Sequence, residues 1–292
     1  PRKYDYIVMT RTLEHLTDPF PVIDKCLNYA VKSLIVSIPM VDEDAAHVNS
    51  FHLRNFDGYI FDELPSESGP KLVIYGKREE RIMDDIGRRW DKLIPAVKPY
   101  TVLDSPRLNN LYGATLYLEE EGIDGSFVEC GTMNGGSAGL MASIGKDRQI
   151  WLFDSWQGLP EPTKYDVKLS GEKGNKGRAR GSREKVEELL FDKLRLNGGR
   201  VHLVEGWFED TITSQIDKKG KIALLHLDCD YYESVKLCLE SLYDSVVENG
   251  LIIVDDYVDW KGCKRAVDEF IVGANVRMKM VGRVLGIQKG KE

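Results

Sequence analysis

The chain has 292 residues, room for two domains rather than one small module. Its 40 Lys+Arg against 47 Asp+Glu leave a net charge of −7, which argues against a protein that tracks nucleic acid. At 42% hydrophobic and 30% charged it has a globular composition; with no apolar run of membrane-spanning length and no secretory leader, it reads as cytoplasmic, with neither membrane nor nucleic-acid partners.

The chain opens on Pro1 rather than Met and runs almost at once into an apolar stretch, the pattern of a fragment of something longer. Cys26, Cys130, Cys229, Cys238 and Cys263 stand far apart with no Cys-x-x-Cys pair, so neither a disulfide framework nor a structural zinc site is expected. Tyr4–Thr10 (YDYIVMT) and residues 33–38 (SLIVSI) read as strands around a helical pattern over 19–30. Residues 71–75 (KLVIY) read as a strand after the turn-rich, acidic stretch 62–70. The charged run 77–89 reads as a helix, and the linker is placed at 81–98.

From about residue 90 the pattern restarts. A helix over 105–121 begins at Asp104 or Ser105, ahead of Pro106. Strands at Ser126–Cys130, 149–153, 200–204, Ile222–Leu227 and 251–254 alternate with helical patterns over 137–144, 182–194, 234–247 and 262–272. This order implies an α/β fold, Rossmann-like, with a mainly parallel doubly wound sheet that binds ligands at the carboxyl ends of its strands. The basic, Gly-rich segment 171–181 (GEKGNKGRARG) follows the second of these strands. It reads either as a solvated loop or as a mobile lid whose Lys173, Lys176, Arg178 and Arg180 meet an anionic part of a substrate, such as a nucleotide diphosphate.

The first strand of this second region runs into Gly131-Thr132-Met133-Asn134-Gly135-Gly136-Ser137. Glycines at such a turn let the backbone and the next helix approach a nucleoside-containing ligand, although the spacing differs from the dinucleotide fingerprint. Asp154 closes the next strand, where a carboxylate accepts from ribose hydroxyls. Trp207, after Gly206, reads as either an adenine contact or a core residue. Asp228 and Asp230 stand in HLDCDYYES, and Asp255 and Asp256 in IIVDDY. If these strands share one sheet edge, Asp228, Asp255 and Asp256 converge and repel unless protonated or bound to a cation. Oxygen-only ligation favours Mg²⁺ or Ca²⁺ over zinc. The competing reading is that each Asp caps the following helix. His226 and His202 read as core, with His226 the alternative base.

The segments VECGTMNGGS, FDSWQGLPEP, VEGWFEDT, LHLDCDYYES and IIVDDY, followed by GCKRAVDEF, resemble in order the macrocin O-methyltransferase family, from about residue 99 to the end. The resemblance implies a class I methyltransferase fold and a homo-oligomer. It also implies S-adenosylmethionine- and Mg²⁺-dependent methylation of a sugar hydroxyl on a small-molecule glycoside or nucleotide sugar, as in macrolide and aminocoumarin antibiotic pathways. Carried over to this sequence, the donor residues are Thr101, Glu129, Gly131, Thr132, Gly135, Gly136, Ser137, Asp154, Ser155, Gly158, Ser182, Gly206, Trp207 and Asp210. Asp228, Asp255 and Asp256 would hold the metal, Asp228 and Asp230 would be the catalytic residues, and Asp230 would be the general base. Cys229 stands where the family has Gly.

YDYIVMTRTLEHLTDPFPVIDKCL followed by LIVSIP resembles the second half of a class I methyltransferase, and HVNSFHLRNF and KLVIYGKR resemble its closing helix and hairpin strand. Residues 1–80 therefore read as a truncated methyltransferase-like segment that must cover its open sheet edge. Glu14 and His15 read there as packing and capping residues. The alternatives are a catechol-type O-methyltransferase, a non-catalytic scaffold that binds S-adenosylmethionine, and a nicotinamide-linked oxidoreductase; glycine spacing and clustered carboxylates disfavour the last.

Overall fold

A computed structural model describes residues 4–10, 30–38, 59–64, 71–77, 90, 92–145, 147–281 and 283–290. The chain divides into two units, Pro1–Lys92 and Leu93–Glu292.

In the first unit, β1 (Tyr4–Thr10), β2 (Ala30–Ile38), β3 (Tyr59–Leu64) and β4 (Lys71–Lys77) form one sheet in the order β1-β2-β4-β3. β1 and β2 are parallel, and β4 runs antiparallel to both β2 and β3. The strand β3 occupies part of the stretch read as turn-rich: the aromatic and β-branched start Tyr59-Ile60-Phe61 favours a strand, and pairing with β4 carries it on through Asp62 and Glu63 to Leu64. The helical readings over 19–30 and 77–89 lie outside the described residues, except at Ala30 and Lys77, which are strand residues.

The second unit runs through α1 (Ser105–Glu120), β5 (Ser126–Cys130), α2 (Gly136–Ile144), β6 (Ile150–Asp154), α3 (Arg183–Glu187), β7 (Val201–Glu205), α4 (Phe208–Lys219) and β8 (Ile222–Leu227). It continues through α5 (Tyr232–Leu242), β9 (Val246–Val254), α6 (Lys261–Ile271), β10 (Val276–Val281) and β11 (Val284–Lys289). The sheet order is β10-β11-β9-β8-β5-β6-β7. The five strands from β9 to β7 are parallel, and the β10–β11 hairpin closes the other edge antiparallel. β5 and β8 are buried at every position, as expected for apolar strands covered on both faces. α1 packs on α2, while α4, α5 and α6 pack in a row.

Two readings need correction. The helix expected over 234–247 ends at Leu242, and Val246 and Val247 open β9, where β-branched residues fit a pleated strand better than a helix. α4 and the β10–β11 hairpin were not anticipated. Among the described residues no helix is long and apolar enough to cross a membrane.

The chain winds outward from β5 to β7 and then returns to lay β8 beside β5, so the strand order reverses between β5 and β8. That is the crevice where an open α/β sheet binds its ligand. The first unit's order and directions, β1-β2-β4-β3, reproduce those of β8-β9-β11-β10.

Candidate active site

The hydrogen-bond ladder continues one residue past the strand ends. Gly206 N donates to Asp154 O at 3.0 Å, Gly131 N to Phe153 O at 2.9 Å, Asp228 N to Cys130 O at 3.0 Å and Asp255 N to Leu227 O at 3.0 Å. This sets the five strand tips from β7 to β9 abreast, beside a cavity of about 900 Å³. Gly131 permits the close approach of β5 and β8: at φ +96°, a Cβ there would lie 1.8 Å from Asp228 O.

Three non-glycine residues at these tips, Met133, Trp156 and Asp230, hold φ between 50° and 56°. Each such conformation costs on the order of 1–3 kcal/mol, a cost typical of functional loops. Asp154 compensates on the β5–β6 side. Its Oδ2 accepts from the N–H groups of Thr132 and Met133 at 2.8 and 2.7 Å, and its Oδ1 from Trp156 N at 2.7 Å. The Trp156 indole donates to Met133 O at 2.9 Å. Burial raises the Asp154 carboxyl above the usual range, while these three N–H groups pull it back. A carboxylate offers about four acceptor positions, so Oδ1 keeps one for a hydroxyl.

On the other side of the crevice, Asp228, Asp255 and Asp256 each offer a carboxylate oxygen, all within 4.8 Å of one another. Burial, then Asp255, Asp230 and Glu129, push the Asp228 carboxyl well above the carboxylate range. Asp256 rises the same way, through burial and then Asp230, Asp228 and Asp255. Burial also raises Asp255, against the opposing charge of Arg107. Burial pushes Asp230 up to about 6, opposed by a hydrogen bond from the Trp260 side chain. Arg107 on α1 contacts Asp255 through Nη1. Burial alone would lower its pKa, yet Asp255, Asp256 and Asp228 raise it.

The capping alternative fails on geometry. The helices after β8 and β9 have Tyr231 and Trp260 at their N-caps, neither with a side-chain cap bond, and the Tyr232 N–H is taken instead by Asp166 at 2.8 Å. Asp256 Oδ2 is buried without a hydrogen-bond partner among the described residues. A crowded, all-oxygen set with an orphaned acceptor fits a hard divalent cation. On the donor side, Glu129 Oε2 and Thr132 Oγ1 are likewise buried without partners next to Gly131, which fits a ligand carrying an amino group.

Of the expected residues, Gly131, Asp154, Ser155, Gly158, Gly206, Trp207, Asp228 and Asp230 line the cavity, and Asp255 and Asp256 lie behind Asp228. Thr101, Glu129, Thr132, Gly135, Gly136, Ser137, Ser182 and Asp210 do not line it. Gly136 packs on Thr101 and Val97, Gly135 packs on Val186, and Ser182 caps α3. The buried His226 Nδ1 pairs with Glu129 Oε1 at 2.9 Å rather than facing the cavity, and His202 stacks on Trp151. Arg107, Met133, Lys168, Arg178 and Trp260 line or border the site, and the sequence reading gave none of them a place in it except Arg178 in its lid alternative. The strained residue in the DCD turn is Asp230; Cys229 is buried.

Residues 67–282 match the family described as Macrocin-O-methyltransferase (TylF). The chain belongs to that family. It is an O-methyltransferase, and the matched region begins ahead of the limit near residue 99 read from the motifs. It is 34% identical over 197 residues to demethyldecarbamoylnovobiocin O-methyltransferase of Streptomyces niveus, covering 63% of this chain and 70% of that protein. Mycinamicin III 3''-O-methyltransferase of Micromonospora griseorubida is 28% identical over 180 residues, 59% of this chain and 70% of its own length. The solved O-methyltransferase NovP superposes with a TM-score of 0.56 at 29% identity, over 66% of this chain and 83% of that one. CalS11, a calicheamicin methyltransferase, shares the fold at TM-score 0.54 and 20% identity, over 73% and 95% of the two chains. The O-methyltransferase unit thus has the class I methyltransferase fold.

Proposed function

We propose that this O-methyltransferase uses S-adenosylmethionine and a divalent cation, Mg²⁺ by its ligand chemistry, to methylate a sugar hydroxyl. The observation that carries the reading is the convergence of Asp228, Asp255 and Asp256 beside a cavity that also borders Gly131, Asp154 and Trp207. Similarity to O-methyltransferases named for the glycosides novobiocin and mycinamicin supports the sugar acceptor.

Asp154, Ser155 and Trp207 would hold the nucleoside of the donor, and the Gly131–Met133 turn its amino-acid end. Asp228, Asp255 and Asp256 would hold the cation. When bound, the cation supplies the Lewis acidity that lowers an acceptor hydroxyl's pKa, and the sulfonium supplies the methyl group. Asp230 faces the same cavity with its carboxyl raised to about 6, so it stays mostly ionised at neutral pH while holding a proton better than an ordinary aspartate. It takes the hydroxyl proton. Arg107 moderates the repulsion among the carboxylates and holds Asp255 in place. The left-handed φ of Asp230 fixes the backbone of the turn that carries this carboxylate at the cavity, which would reduce the orientational search in the step.

The test is calorimetric titration with S-adenosylmethionine, followed by mass spectrometry of glycosides incubated with Mg²⁺ or with chelator. A mass gain of one methyl group that chelation abolishes supports the reading. Methyl transfer undiminished in chelator removes the metal role, and absence of donor binding removes the reaction class.

A further inference from the structure

The basic segment after β6 is neither a free loop nor a loose lid. Gly177 N donates to Leu159 O and Leu159 N to Arg178 O, both at 2.8 Å. Leu169 N donates to Asp259 O and Lys261 N to Val167 O, each at 2.9 Å, and Asn175 N donates to the Tyr231 hydroxyl at 2.8 Å. The buried Asp166 holds the segment to the first turn of α5. At Gly158, with φ +82°, a Cβ would lie 2.5 Å from Gly177 O, so the two strips of chain meet too closely for any side chain. The segment is a fixed wall of the cavity.

That wall turns two cations toward the site. Lys168 and Arg178 line the cavity and flank Trp260, with Nζ 5.6 Å and Cζ 5.8 Å from the ring centroid. Trp260 lines the same cavity as Asp230. One carboxylate serves both cations: Glu172 meets Lys168 Nζ and Arg178 Nη1, each at 2.7 Å. The pair keeps one uncompensated positive charge. The Glu172 side chain is 49% exposed, and solvent-screened ion pairs of this kind are weak, so a stronger anion can displace it. A phosphate offers several oxygens to an Arg fork and a Lys point charge at once. The cavity is therefore acidic at the reacting end and cationic at this wall.

We propose that the acceptor is a phosphorylated sugar, its phosphate on Arg178 and Lys168 and its hydroxyl at Asp230. This rests on the methyl-transfer reading above. A phosphate on the anomeric carbon leaves when the sugar is transferred, so methylation comes before the glycosyl-transfer reaction that consumes the product.

The test is calorimetric binding of UDP-glucose, glucose 1-phosphate and methyl glucoside to the whole chain with S-adenosylmethionine and Mg²⁺, using wild type, Arg178→Gln and Lys168→Gln. Methyl transfer to each sugar is followed by mass spectrometry, and thermal midpoints verify that the variants fold. The expected result is at least tenfold tighter binding of a phosphorylated sugar than of methyl glucoside, an advantage that shrinks in both variants and at high salt. Equal binding of the two phosphorylated sugars means that one phosphate suffices; preference for UDP-glucose assigns the site to a nucleoside diphosphate. If methyl glucoside binds as tightly, or both variants retain the advantage, the inference is wrong while the reaction class stands. If S-adenosylmethionine neither binds nor donates a methyl group, the reaction class fails and the acceptor assignment with it.

Discussion

Two sheets in this chain share one topology and differ in chemistry. The sheet β1-β2-β4-β3 and the half sheet β8-β9-β11-β10 have the same order and directions. β8 runs into Asp228-Cys229-Asp230 and β9 into Asp255-Asp256, whereas β1 runs into Arg11-Thr12 and β2 into Pro39-Met40. Topology brings strand tips together in both; carboxylates follow the tips in one. The residues just past the strands, rather than the sheet, decide what a class I methyltransferase sheet can do.

The largest effect that would sharpen this contrast comes from the carboxylates. Asp228→Asn or Asp255→Asn should lower methyl transfer by about 10³-fold or more, read as product by mass spectrometry, if each is the cation ligand proposed above. Next is Arg107→Gln. It leaves buried like charges without their counterion and should destabilise the metal-free chain by about 3 kcal/mol in urea unfolding, with much of the loss restored by Mg²⁺.

A pH effect follows. Asp228, Asp255, Asp256 and Asp230 have folded-state values above those of the unfolded chain, Asp230 at about 6. The folded chain then binds more protons, so the stability these groups contribute is complete below about pH 4 and is lost as pH rises through their folded values. For Asp230 the loss is on the order of 3 kcal/mol. Metal-free unfolding should show stability falling from about pH 4 to pH 7, by this order from Asp230 alone, and saturating Mg²⁺ should flatten that slope. The smallest effect belongs to the first unit: Glu14→Gln, outside the described residues, should leave methyl transfer within about twofold. A loss comparable to that of Asp228→Asn would break the contrast.

The sequence made the strands of the second unit legible because apolar runs such as IALLHL and SFVEC need no partner to declare themselves. The acids at their ends were legible for the same reason: each stands where a strand stops. The end of α5 was not, because a helical period and a β-branched pair overlap at Val246-Val247, and sheet pairing decides between them. Arg107 and Lys168 were invisible as site residues, since each reaches the cavity by tertiary contact from outside the motifs. Gly135 and Gly136 show a second role that the sequence does not declare. They look like a cofactor turn, yet they let the chain pack closely on Val186, Thr101 and Val97.

The central claim is that Asp228, Asp255 and Asp256 share one hard cation. Calorimetric titration of Mg²⁺ into chelator-treated protein tests it most directly, with Asp256→Asn alongside. One ion per chain, bound by the wild type and lost from the variant, is the predicted result. A wild-type chain that takes up no ion, or a variant that binds as well as wild type, would contradict it.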